Sequence, residues 1–401
     1  MGETRQNPAG FSPPRPPQAF AGLRVAIVHY WLVSYRGGER VLAVLAEMFP
    51  QADIFTLVLD RDSLPPSLRS RKITPSFLQR IPGAKRHYQK LLPLFPLALE
   101  QLKLGDYDLV ISSESGPAKG VITSQNTCHV CYCHSPMRYL WDMYHEYRDQ
   151  GPMGSFARAF FSLSAHYVRM WDLASASRVD YFVANSANVA GRIRKHYRRE
   201  STVIHPPVNV AAGYVGAGIE DYYLVVSQLV RYKRVDLAIA ACNHLKRRLR
   251  IIGDGEEYAR LRRLAGPTVE FLGFLPDEAL REHYAHCRAL LFPGEEDFGM
   301  VPVEAQSYGR PVIAYGRGGV LETVRPLISC TCLNQEQPTG IFFHRQTAGS
   351  LVEAILSFES AEGRFSAPAI RDHVQDFGTP RFKRQVETFV RTKLSEFSSG
   401  L

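Results

Sequence analysis

From Leu23 onward, short apolar runs alternate with longer stretches of helical period. LRVAIVH, ADIFTLVL, YDLVISS, GVITS, HVCYCH, YFVANS and STVIH are short and rich in β-branched residues, whereas ERVLAVLAEMF repeats its apolar positions every three or four residues. Runs of the first kind predict buried strands of a parallel sheet, and the second kind its crossover helices. After HPPVNV the rhythm starts again with YYLVVSQL, VDLAIAACNHL, LRIIGDG, EYARLRRLA, VEFLGF, EALREHYAHC, RALLFPG and PVIAYG. Pro206-Pro207 and the glycine-containing AAGYVGAGIEDY between the two series mark a hinge. The predicted class is α/β, with two doubly wound domains facing a cleft. The boundaries are a disordered tail at 1–22, an N-terminal domain at 23–207, a C-terminal domain at 208–375, and a last helix at 376–401 returning toward the N-terminal domain.

Composition narrows the partners. The 401 residues, 45% apolar and 22% charged, suit a globular enzyme with two cores. A net charge of +9 favours anionic partners: nucleic acid, a phosphate-bearing metabolite or an acidic membrane surface. Nucleic acid is set aside, because no recognition module or aromatic interleaving accompanies the basic runs RIRKHYRRE from Arg192 and KRRLR from Lys246, which read as solvated helix faces. Seven cysteines and no signal-peptide pattern predict a reduced cytoplasmic protein. The longest apolar stretch, LLPLFPLAL from Leu91, is short and broken by prolines, so no membrane span is expected. Residues 69–104 mix Lys and Arg with large apolar side chains. That fits either a surface resting on anionic lipid, peripheral to the inner face of the plasma membrane, or a helix pair with one solvated face.

Ligands of open α/β sheets gather beyond the carboxyl ends of the strands. His29, His134 and His205 close predicted strands of the first half, and Ser227-Gln228, Gly253-Asp254-Gly255 and GEEDFG close strands of the second. TCHVCYCHSPMRYLWD, from Thr127, raises the question of zinc. A structural site needs four ligands, and the other close pair, Cys330 and Cys332, lies some two hundred residues on, so the cysteines read better as small buried side chains. Gly37 and Gly38 in RGGER open a helix whose free amides suit phosphate. The fullest pattern is RALLFPGEEDFGMVPVEAQSYG: a strand ending near Pro293, an acidic loop, then a helix starting near Met300 with Pro302 in its first turn. Amides from Gly299 to Val301, with Glu296 and Glu304 on either side, suit a phosphorylated sugar, carboxylates for the hydroxyls and the helix start for the anion.

GEEDFGMVPVEA resembles the E-x7-E signature of retaining glycosyltransferases of family 4. RGGER, CHSPMRYLWD, VANS, VIHPPV, SQLVRYKRVD, IIGDGEE and FLGFLPDEAL follow that family's order. The likeness is greatest to bacterial mannosyltransferase-type enzymes of surface-polysaccharide assembly. It implies a GT-B fold of two Rossmann-like domains, a nucleotide-sugar donor, a glycan or lipid-linked acceptor, and GDP-mannose as the best donor. Carried over by position, it implies that Glu304 binds the ribose hydroxyls and that Glu296 touches the donor sugar or lies near the reacting face, helped by the amides of Phe298, Gly299, Met300 and Val301. Gly37 and Gly38 would approach the diphosphate, His134 would contact the donor sugar, and Lys233 would neutralise the diphosphate. The family often has an arginine where this chain has Gln228, so either Arg231 supplies that charge or Lys233 acts alone.

Departure of a sugar from a diphosphate builds negative charge that cations and helix dipoles can hold, so no metal and no other cofactor is expected. The resemblance implies retention, by front-face attack in which the leaving phosphate takes the acceptor's proton. Two other readings keep the fold: a nucleotide-sugar epimerase or phosphorylase, and a catalytically silent nucleotide-sugar or lipid-surface binding protein.

Overall fold

The structure, a computed structural model, describes residues 20, 22–149, 154–327 and 337–400. The tail expected at 1–22 lies outside them apart from residues 20 and 22, as do Cys330 and Cys332.

Seven strands make the first sheet: β1 (Val25–His29), β2 (Asp53–Thr56), β3 (Ile73–Pro75), β4 (Leu109–Glu114), β5 (Cys128–Cys133), β6 (Tyr181–Ala184) and β7 (Ser201–Val203). Six make the second: β8 (Tyr223–Val226), β9 (Leu249–Ile252), β10 (Val269–Gly273), β11 (Ala289–Phe292), β12 (Val312–Tyr315) and β13 (Gly340–Phe343). Their orders are β3-β2-β1-β4-β5-β6-β7 and β10-β9-β8-β11-β12-β13. All neighbours in the second sheet run parallel. Each sheet therefore reverses its strand order once, between β1 and β4 and between β8 and β11, which are the places where such sheets open a ligand crevice. β1, β4, β5, β11 and β12 are buried along their whole length, as strands covered by helices on both faces must be. These are two parallel-sheet, Rossmann-like arrangements of the α/β class.

The chain divides into two compact units. One takes in the described residues of 1–132, 137–181 and 389–401, and the other those of 133–136 and 182–388. Residues 182–207 thus group with the chain that follows them, and the end of the final helix, Thr379–Ser399, groups with the first unit.

One strand expectation fails. GVITS is a 3-10 turn at Ala118–Gly120 followed by unpaired chain, because β4 already has β1 and β5 on its two edges. Instead, the side chain of Lys119 is buried in a charge cluster. Its ammonium meets Asp172 and lies 3.2 Å from Glu114 Oε1, its amide donates to Glu114 Oε2 at 2.5 Å, and Trp141 Nε1 donates to Asp172 Oδ2 at 2.7 Å. Burial raises the Glu114 carboxyl, and Lys119 only partly opposes that.

The cysteines of β5 are buried free thiols, and burial pushes Cys128 up to about 12, far from a thiolate ligand. Among the described residues no three His, Cys, Asp or Glu side chains converge on a metal position. Nor is any described helix long and apolar enough to cross a membrane.

Candidate active site

In the second unit the two strands flanking the order reversal end in the loops that carry the predicted chemistry. β8 is followed by Ser227 and Gln228, whose carbonyl accepts from Ser227 Oγ and from the Val230 amide, both at 2.9 Å. A 3-10 turn, Arg231–Lys233, comes next. Arg231 is exposed, whereas Lys233 turns inward with its side chain 14% exposed. β11 is followed by Pro293, Gly294 and the acidic loop, and there the ammonium of Lys233 pairs with Glu296. Ser227, Lys233, Phe292, Gly294 and Glu296 line one concavity at this strand end. A larger concavity, beside Arg248, Arg250 and Arg262, holds none of the predicted groups.

The helix Met300–Ser307 leaves the acidic loop through Gly299, whose φ of +85° is a left-handed conformation that a side chain would strain. No side chain caps this helix, so its first amides remain available to an anion. Phe298 and Gly299 are buried, Met300 and Val301 half-buried. Glu304 sits in the helix and accepts from Tyr284 Oη at 2.9 Å, and the Tyr284 ring stacks on Tyr308. That bond fixes the carboxylate's direction.

His134 is buried immediately after β5 and shares the second unit with these loops. Its neighbour Ser135 accepts from Arg192 Nη1 at 3.3 Å, and Arg192 also pairs with Asp297 and lies 3.7 Å from Glu295. Arg192 is therefore no part of a solvated face, as its run of charges had suggested. With its side chain 12% exposed, it is a counter-ion for the acidic loop. Ser186 Oγ donates to the Asp297 carbonyl at 2.6 Å and caps the helix Ala187–Tyr197 through the Val189 amide. Glu322 accepts from the amides of Ala187 and Asn188 at 2.8 and 3.1 Å and lies 3.0 Å from His205 Nε2, while the His205 ring stacks on Phe298. Burial would raise the Glu322 carboxyl, but hydrogen bonds from His205 and the two amides outweigh it and hold the group below the usual carboxylate range.

Ser186, Arg192, His205 and Glu322 brace the loop, and none was singled out as a site residue. A serine directly after a strand and before a helical run is a readable cap signal. Nothing in the sequence paired Arg192 with Asp297.

Gly37 and Gly38 lie in the first unit, at the start of the helix Gly37–Met48. A Cβ on Gly38 would stand 2.4 Å from Tyr30 Oη, so the bare backbone there already admits the tyrosine. Glu39 accepts from the Arg36 amide at 2.9 Å and faces His29, which contacts Ser113 Oγ at 3.1 Å. The structure thus brings Lys233, Glu296, Glu304, the 298–301 amides and the His134 segment into one unit, with Gly37 and Gly38 in the other.

Two family models match successive parts of the chain. Residues 35–212 match the family described as Glycosyltransferase Family 4, and residues 217–370 match Glycosyl transferases group 1. An uncharacterized glycosyltransferase of Methanocaldococcus jannaschii is 28% identical over 150 residues, which is 36% of this chain and 42% of that protein. A GDP-mannose-dependent alpha-mannosyltransferase of Mycobacterium tuberculosis is 36% identical over 147 residues, 36% of each chain. The chain thus spans less than half the length of these curated relatives. Among solved structures, sucrose-phosphate synthase from Thermosynechococcus elongatus superposes with a TM-score of 0.67 at 20% identity, over 93% of this chain and 100% of the other. The chain thus carries a domain matching Glycosyltransferase Family 4 followed by one matching Glycosyl transferases group 1, on two parallel-sheet, Rossmann-like units of the GT-B fold.

Proposed function

We propose that this chain transfers a hexose from a nucleotide sugar to a glycan or lipid-linked acceptor, with retention of configuration and without a metal. GDP-mannose is the donor we favour. The observation that carries the reading is the meeting of Lys233 and Glu296 at the β8/β11 reversal, beside an uncapped helix start. The donor would bind in the 208–375 region and the acceptor in 23–207.

The chemistry follows from charge. When the sugar leaves, the diphosphate gains negative charge, which the Lys233 ammonium and the amides of residues 298–301 stabilise from fixed positions. Binding therefore exchanges Lys233's partner from Glu296 to phosphate and frees Glu296 to accept from sugar hydroxyls. Glu304, aimed by Tyr284, takes the ribose hydroxyls. His134 contacts the sugar, and Gly37 and Gly38 approach the diphosphate. Gln228 brings no charge, and Arg231 supplies a second cation only by turning in from its exposed position. The acceptor hydroxyl attacks on the face the phosphate leaves, and the phosphate oxygen takes its proton. The M. tuberculosis relative, named for its dependence on GDP-mannose, supports the donor assignment.

A thermal-shift panel of GDP-, UDP- and ADP-sugars tests the reading. GDP-mannose is expected to raise the melting temperature of the wild type, and the Glu304→Ala variant to lose the shift. Silence across the panel, or transfer abolished by a chelator, would overturn it.

A further inference from the structure

The helix Ser155–Ser175 buries Ala165 and Val168 against the first unit's core, with Phe161 and Trp171 half-buried beside them. Its opposite face carries Phe156, Phe160, Leu163, Tyr167, Met170 and Leu173. Phe156 is 86% and Leu163 70% exposed, and the others lie between 47% and 56%. The spacing returns to the same helical face at each step, so these six side chains form one stripe roughly 25 Å long. At about 150–250 Å² for a fully exposed aromatic, the stripe presents roughly 600 Å² of apolar surface. That is at or above the largest patch of an ordinary monomer, about 300–600 Å².

The charges around the stripe are mostly basic; the exposed carboxylates nearby, Glu146 and Asp149, sit on the helix Tyr144–Asp149 that packs against this one, and Asp149 is paired with Arg148. Arg158 is exposed beside it, and the helix's sole carboxylate, Asp172, is buried on Lys119. The segment of residues 77–103, whose 3-10 turn Tyr88–Leu94 packs against this helix, contains Arg80, Arg86, Lys90 and Lys103, all exposed, and Lys85, which pairs with Asp60 at 3.0 Å. Its single carboxylate, Glu100, is taken by Arg178 at 2.7 Å and Trp171 at 2.8 Å. Leu94 and Leu97 of the same segment are exposed as well.

We propose that this face seats the first unit on an anionic lipid bilayer, with the stripe entering the headgroup region and the basic side chains meeting lipid phosphates. A second copy of the chain is the weaker occupant. The stripe falls short of the ~800 Å² per partner that stable interfaces bury. The proposal gains its purpose from the reading of transfer to a lipid-linked acceptor, but none of its observations comes from the donor site.

Flotation of the full chain with phosphatidylcholine vesicles, with and without about 30% phosphatidylglycerol, tests it at low and high salt. The wild type is expected to float with the anionic vesicles only, and less at high salt. The triple variant Phe156→Ser/Phe160→Ser/Leu163→Ser should lose roughly a hundredfold in partitioning. Its substituted positions are exposed, so its melting curve and its sugar-nucleotide shift should match the wild type. Absence of flotation on anionic vesicles at low salt, or flotation undiminished in the variant, would overturn the proposal. So would sedimentation showing a wild-type dimer that the variant dissolves, without vesicle binding. Flotation alongside a silent sugar-nucleotide panel would instead count against the donor reading alone.

Discussion

Replacing Lys119 with methionine should unfold much of the first unit's advantage at neutral pH. Glu114, Lys119 and Asp172 are all fully buried, with the ammonium between two carboxylates. Methionine fills similar space but leaves both carboxylates in low dielectric without a counter-ion. Removing one partner of a buried ionic group costs about 3–5 kcal/mol, and this cluster sits at that level because no solvent reaches it. In the variant the folded state holds the proton on Glu114 more tightly than the unfolded chain does, because burial already raises that carboxyl and the opposing Lys119 is gone. A carboxyl raised on folding lends stability below its unfolded pKa and loses it as pH climbs through the folded one. The deficit should therefore be larger at pH 8 than at pH 5. Urea titration followed by tryptophan fluorescence isolates the effect, since Trp31, Trp141 and Trp171 all belong to the first unit. Because Trp141 hangs on Asp172, the emission of the folded variant should also shift. A loss under ~1 kcal/mol at pH 8 with an unchanged m-value, or a deficit that does not vary with pH, would refute the electrostatic account.

The remaining expectations concern the site and pH. Lys233→Ala and Glu296→Ala should each lower sugar transfer by about 10²–10³ in kcat, the usual loss on removing one preorganised charge stabiliser, with melting temperatures little changed; near-normal turnover in either would reject the assignment. His129 is buried, lies 2.9 Å from Ser112 Oγ through Nε2, and burial lowers its pKa to about 4. Its neutral form is favoured on folding, so that contribution is complete above pH ~6.5 and lost as pH falls to about 4, a change of about 3 kcal/mol. Urea titrations across this range should show a steeper acid loss in the wild type than in His129→Gln, and parallel curves would count against it.

Much of the layout around the acidic loop was legible because it is local. Pro302, placed in the first turn of a helix expected to start near Met300, sits where proline costs nothing, and the helix does begin at Met300. Lys233 and Glu296 could each be picked out from strand ends and their resemblance. GVITS was misread because β propensity cannot say whether a sheet edge is vacant. In the run from Arg192, Arg194, Lys195 and Arg198 are exposed as a solvated face should be, and only Arg192 was misread, because charge in sequence does not reveal burial.

By itself, then, the sequence determined periodicity, strand ends and turn chemistry, and through them the two α/β sheets. Those signals act over a few residues, where geometry repeats. Only the tertiary structure decided which charges meet: Arg192 with Asp297 across 105 positions, and Lys119 with Asp172 across 53. Ion pairs are set by how helices pack on the sheets, and burial there depends on every neighbour, so no window of sequence contains the answer.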